Sequence, residues 1–287
     1  MKVFILELRK AFINRWFVIA LCVGLVLATI SAYGVVFLYM ETERMMLEWW
    51  GVTNPFLSVS SCYRFFMTSD YTQASTDLFY ALLPLLAVLP YGWSLCQEKQ
   101  SGYLQNIYVR VERTRYLGCK ACAAALSGGT VVLAPLLLNC IICACFIPAY
   151  TPDVVSVFHT GIYESVMGSQ LYYQSPLLFV GLYLILSFLF SGVWSAFVVL
   201  IGGFAKDSVR LLAGSFLVLY LLAALEYKFG ILFSGSGTEY LSLSPLVWLR
   251  GVSFGGYTEI GVAVVWLLVL MLFVVICICC HRKEDML

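Results

Sequence analysis

The chain has 287 residues, of which 62% are hydrophobic and 11% charged, and its formal net charge is +1. That composition excludes an ordinary soluble domain, and a charge so close to zero gives no reason to expect a nucleic-acid partner. Long apolar runs without strand alternation argue against a transmembrane barrel, so the expected class is an all-α polytopic membrane protein.

Residues 1–14 read as an amphipathic helix. Val3, Leu6, Lys10 and Ile13 recur at helical spacing, Phe4, Ile5, Leu8 and Phe12 broaden the apolar face, and Glu7, Arg9 and Lys10 lie largely opposite. Such a segment is expected to lie on the inner leaflet before the chain turns into the membrane. The apolar stretch after Arg15 is too long for the core of a signal peptide and lacks a small-residue cleavage site. It reads as a permanent span.

A helix needs about 20 apolar residues to cross the hydrocarbon core. Six stretches meet that requirement, at about 16–40, 76–96, 119–147, 176–204, 211–233 and 259–280, within a single transmembrane domain covering 1–287. With both termini inside, segments 1–15, 97–120, 205–210 and 281–287 hold 13 of the 17 Lys and Arg residues. The outer segments carry Arg44, Arg64, Lys228 and Arg250 together with ten of the 16 acids. Basic residues favour the cytoplasmic side, so the expectation is a multi-pass protein of the cell (plasma) membrane with both termini cytoplasmic.

The inner loop 97–118 carries the densest charge. Around it Lys99, Arg110, Arg113, Arg115 and Lys120 face only Glu98 and Glu112. Tyr103, Leu104, Ile107 and Tyr108 form an apolar face at i, i+1, i+4, i+5 spacing, the pattern of a short docking helix. On the outer side, segments 41–75 and 148–175 are polar and aromatic, and the lone His159 reads as a solvated loop residue.

Residues 240–254 are too short to cross and too apolar to float free. The expectation is a re-entrant outer hairpin of two short helices near span five, broken at Pro245 and including Trp248, and the alternative is an irregular surface loop with Trp248 at the headgroups. Gly235 and Gly237 precede it and Gly255 and Gly256 follow it. Near the end of the fifth span, Glu226 and Lys228 point to different faces and are candidates for polar contacts with a neighbouring span.

The eleven cysteines include Cys119 and Cys122 at a span entrance, but neither histidine lies in a span to complete a metal site. They read as small apolar residues in lipid. HExxH and GxxxxGK[ST] are both absent from the sequence. Span centres are nearly bare of charge, which disfavours an ion-gradient-driven secondary transporter. A non-transport membrane scaffold or sensor subunit remains the alternative reading.

The order of these features resembles the membrane subunits of type-2 ABC exporters (ABC-2-type permeases). The local match lies in Glu98 and Gly102, similar to that family's Glu-x-x-x-Gly turn. It continues in Arg113, Tyr116 and Lys120, similar to its basic entry into span three, although ValArgValGlu stands where many relatives carry a proline. The resemblance implies that 97–118 is the ATPase-coupling element, with Glu98, Gly102, Tyr103, Leu104, Ile107, Tyr108, Arg113, Tyr116 and Lys120 as its residues. It also implies a permease subunit that is not itself an enzyme and carries no cofactor. ATP and magnesium would sit on cytosolic ABC ATPase partners, and a second permease copy, identical or related, would complete the exporter. With 16% aromatic residues, an amphipathic or hydrophobic cargo is expected: an antimicrobial peptide, a lipid or a drug.

Overall fold

The computed structural model describes residues 2–50, 61–153, 162–234, 240–252 and 256–283, so His159, Gly235, Gly237, Gly255 and the 284–287 terminus lie outside the described residues. Among the described residues the fold is a helical bundle. Helix α1 spans Lys2–Phe12 and α2 spans Arg15–Trp50. At about 1.5 Å per residue the 36 residues of α2 measure roughly 54 Å, well beyond the roughly 30 Å of hydrocarbon core. The expected end at residue 40 is therefore overtaken: the stretch after Met40 is rich in Glu, Met and Leu, all good helix formers, with no Gly or Pro before Gly51.

The second apolar stretch does not form one helix. After the single turn α3 (Cys62–Phe65), α4 covers Ala74–Val88 and α5 covers Ser94–Gln100, separated by turns at 89–93. Pro90 has no N–H to donate, and Gly92 follows it, so the helix stops there. The 15 residues of α4 reach only roughly 22 Å, short of the hydrocarbon thickness.

Helix α6 (Tyr103–Tyr108) and the 34-residue α7 (Arg113–Phe146) follow. The third apolar segment thus begins six residues before the expected 119, and the basic cluster is already helical. Then come α8 (Ser169–Gln174), α9 (Pro176–Ile201) and α10 (Ser208–Ser234). A single turn α11 (Pro245–Trp248) precedes α12 (Ile260–Lys283). Five of the described helices are long and apolar enough to cross a membrane: α2, α7, α9, α10 and α12. The chain is a multi-pass helical membrane protein.

Helix α9 is the most buried span and packs mainly on α7 and α12, while α2 packs on α7 and α4. Glycines let α7 and α9 approach closely. A Cβ on Gly128 would meet the Ala87 carbonyl at 2.5 Å and Ser195 Cβ at 2.7 Å, and one on Gly192 would meet the Ala125 carbonyl at 2.8 Å. In lipid such close packing replaces the hydrophobic drive as the source of helix association. Asn139 ties the same bundle together: its amide donates to the Ala28 carbonyl at 3.2 Å and its oxygen accepts from the Met67 N–H at 2.9 Å. By contrast, α10 and α12 leave most of their apolar surface facing outward.

Candidate functional site

The elbow between α1 and α2 is set by one side chain. Asn14 donates through Nδ2 to the carbonyls of Lys10 (3.0 Å), Ala11 (2.9 Å) and Pro90 (2.9 Å). Its Oδ1 accepts the Phe17 N–H at 2.7 Å, the geometry of a helix N-cap. One amide therefore closes α1, opens α2 and holds the turn between α4 and α5.

Above that elbow lies a charge cluster with a buried centre and a partly exposed rim. Lys120, on the first turns of α7, is fully buried, and its ammonium donates to Glu7 Oε2 at 3.0 Å and Glu98 Oε2 at 2.8 Å. The hydroxyls of Tyr91 and Tyr116 lie 3.3 and 3.4 Å from the same nitrogen, and both rings lie within cation–π range at 4.8 and 5.4 Å. Tyr91 donates to Glu7 Oε2 at 2.6 Å and Tyr116 to Glu98 Oε2 at 2.7 Å. At the rim, Lys10 bonds Glu7 Oε1 at 2.8 Å and faces Glu98 Oε1 at 3.6 Å. Two ammoniums thus meet two carboxylates, and every charge has a partner, as burial requires.

Burial by itself would raise the Glu7 carboxyl. Lys120, Lys10 and the Tyr91 hydroxyl outweigh it and hold Glu7 below its ordinary value. Burial likewise pulls Lys10 down, but Glu7 and Glu98 push it above its ordinary value. The cluster is an electrostatic joint between α1, α5, α7 and the 89–93 turn, with no nucleophile or open metal position. Among the described residues no group of His, Cys, Asp and Glu could hold a metal ion.

Glu98, Tyr116 and Lys120, drawn from the short inner motif, come together in this joint. Gly102 stands between α5 and α6 with φ +71°, a left-handed conformation that glycine adopts without steric penalty. Leu104 is buried against the bundle, a correction to its expected place on a docking face, and Ile107 and Tyr108 are half-buried. The amphipathic period holds, but the bundle itself takes up much of the apolar face. Tyr103 stays 45% exposed with Lys10 over its ring at 5.3 Å, and Arg113 covers the Tyr108 ring at 5.2 Å. Val109, just past α6, is 88% exposed.

Helix α5 is anchored on its other side to the turn between α9 and α10. Lys99 donates to the Gly203 carbonyl at 2.6 Å, Cys96 to the Ala205 carbonyl at 3.5 Å, and Gln100 to the Lys206 carbonyl.

At the opposite end of the bundle the 240–257 segment departs from the expected pair of helices. Its described residues hold one helical turn, α11, flanked by β1 (Tyr240–Leu241) and β2 (Gly256–Tyr257), which pair in parallel. Ser244 and Pro245 start the turn, and Trp248 is fully buried with its ring edge-on to Phe190 at 5.5 Å. The Glu226 carboxylate accepts the N–H groups of Leu243 (2.9 Å) and Ser244, so its partner is this segment's backbone and not a neighbouring span. Lys228 is exposed and shares none of these contacts. Arg250 joins the segment to α4 through Asp77 at 2.7 Å.

The expectation set Glu7 opposite the apolar face of α1, but helical spacing puts it one turn from both Val3 and Ala11, and the structure buries it: Glu7 is 2% exposed while Ile5 and Leu6 are over half exposed. Asn14 and Tyr91 escape the sequence pattern altogether. A signal for Glu7 exists in the fully buried Ala11 one helical turn on, a small residue that permits close approach of another helix. No protein-family model, curated protein or solved structure matches the chain.

Proposed function

We propose that this chain is the membrane-spanning permease subunit of an ATP-driven exporter of the type-2 ABC class. It would work with cytosolic ABC ATPases and a second permease copy, identical or related, to move an amphipathic or hydrophobic cargo out of the cell. The observation that carries this reading is the buried joint of Glu7, Glu98 and Lys120. It ties the short helix α5, which α6 follows, to α1 and α7, so that a push on a small loop would reach the spans.

In this reading α4 and α5 together make the second of six spans, the basic segments lie in the cytoplasm, and the 240–257 segment closes the outer end of the path. The surface offered to an ATPase groove is the outward side of α6 and its end: Tyr103, Gln105, Asn106, Val109 and Arg110, all exposed. ATP and magnesium belong to the partner.

The test is affinity purification of the tagged chain from its native membrane, followed by ATP-dependent cargo movement in inverted vesicles. An ABC ATPase that co-purifies with the unmodified chain and is lost with Tyr103→Ala/Val109→Asp supports the reading. A stable complex without any ATPase, or cargo movement that follows an ion gradient, overturns it.

A further inference from the structure

The joint at Lys120 has two carboxylates that differ in what carries them and how deeply they lie. Glu7 sits on α1, with its side chain 3% exposed, and Glu98 sits on α5, with its side chain 15% exposed. We propose that the joint is a latch with one fixed and one releasable counter-ion: Glu7 stays on Lys120 while Glu98 lets go when α5 and α6 move. This rests on the reading that a partner pushes that loop.

A fully buried ammonium stripped of all its counter-charge would be strongly disfavoured, so a single-carboxylate joint would resist any motion that opened it. Glu7, 3.0 Å from Lys120, is the counter-ion left when Glu98 leaves, and the Tyr91 hydroxyl touches both Glu7 and Lys120. Lys10, 42% exposed, spans the two carboxylates at 2.8 and 3.6 Å and stays with Glu7. Glu98 has the shorter way to water. The backbone is built for such a pivot: α5 lies between the non-helical 89–93 turn and the left-handed Gly102. Asn14 holds the Pro90 carbonyl, so the pivot stays attached to α1 and α2 as α5 turns. The Tyr116 hydroxyl, which donates to Glu98 at 2.7 Å, loses its acceptor on release and favours closing again. The other load on α5 is the 203–206 turn, whose carbonyls accept from Lys99, Gln100 and Cys96. Release at Glu98 therefore frees α5 to carry that turn with it, and α1 and α7 keep their grip on each other.

Hydrogen exchange on the purified full-length chain in lipid nanodiscs tests this without any ATPase. In Glu98→Gln, amides of 94–108 should lose protection by about tenfold, the scale of one charge-assisted bond, while 2–12 and 113–124 change little. In Glu7→Gln, 2–12 and 113–124 should loosen together. Tyr91→Phe, which removes one bond to Glu7 and keeps the ring, gives the same pattern more weakly and serves if Glu7→Gln does not fold. Equal loosening of all three segments in Glu98→Gln, or α1 unchanged in both of the other variants, overturns the latch. Loss of the ATPase assignment would leave these exchange patterns as they are, so the two ideas fail separately.

Discussion

Lys120 and Glu7, 113 residues apart in sequence, meet at 3.0 Å with side chains 0% and 3% exposed. The contact fastens a helix that lies ahead of the first span to the start of the third apolar helix. Replacing Lys120 by Met leaves two carboxylates sharing Lys10, and breaking a buried pair in this way costs about 3–5 kcal/mol. The double variant Glu7→Gln/Lys120→Met should recover part of that loss, by about 1 kcal/mol or more, because it leaves a balanced Lys10–Glu98 pair. Thermal melting of the solubilised protein measures both, and a double variant no more stable than Lys120→Met alone would contradict the coupling.

Acid should weaken the same joint. The folded-state value of Glu7 lies below its ordinary 4.5, so its contribution is fully present above that value and is lost as pH falls through the folded value. Lys10 has the opposite sign: its value is raised above 10.5, so its share is present below 10.5 and lost only as pH rises beyond it. Melting temperature measured against pH should thus lose a component below about 4.5 that Glu7→Gln lacks. An identical acid limb in both proteins would remove Glu7 as its source.

Gly102 and Gly128 make a contrasting pair. A Cβ on Gly102 meets nothing within 4 Å, so Gly102→Ala costs only its left-handed backbone, about 1–2 kcal/mol, and Gly102→Asn should cost less. A side chain on Gly128 would run into the Ala87 carbonyl and Ser195 Cβ, forcing α7 away from its neighbours. Gly128→Val should therefore abolish a monodisperse peak in size-exclusion chromatography that Gly102→Ala retains. Similar profiles for the two would argue against the tight α7 packing.

The sequence pattern revealed the long helices because each holds an apolar run of spanning length, and it located the basic entry to α7 within a few residues. It did not reveal the break at 89–93. The dip at Pro-Tyr-Gly-Trp-Ser, 90–94, is short enough to average into one apolar stretch, and Pro84 and Pro135 stand inside intact helices, so a proline alone does not decide where a helix ends. The joint was half legible. Glu98, Tyr116 and Lys120 fall in one short motif, but Glu7 lies far away in sequence, and on an amphipathic helix an acid ordinarily marks the wet side. Partners this distant are fixed by the packing of the whole bundle, which one helix's periodicity does not encode.

Trp248 shows the same limit at the other end of the molecule, and its chemistry gives the last prediction. An apolar segment with a tryptophan beside a membrane invites a place for the ring at the headgroups, where its N–H stays wet. Instead the side chain is fully buried against Phe190, and among the described residues its Nε1 finds no acceptor. The ring therefore acts by volume, and its polar edge is a cost. Trp248→Ala should open a cavity and destabilise the protein by about 3–5 kcal/mol. Trp248→Phe keeps an aromatic face toward Phe190 and removes the unpaired donor, so its loss should be well under half as large. The 240–257 segment is also held through Glu226 at Leu243 and through Arg250 at Asp77, so the alanine variant should loosen it locally before the bundle melts. Limited proteolysis of the purified chain, mapped by mass spectrometry, reads that order. Early cleavage within 240–257 in Trp248→Ala and protection in Trp248→Phe is the expected result, and equal sensitivity of the two would mean that the indole N–H, not the ring's bulk, holds the segment in place.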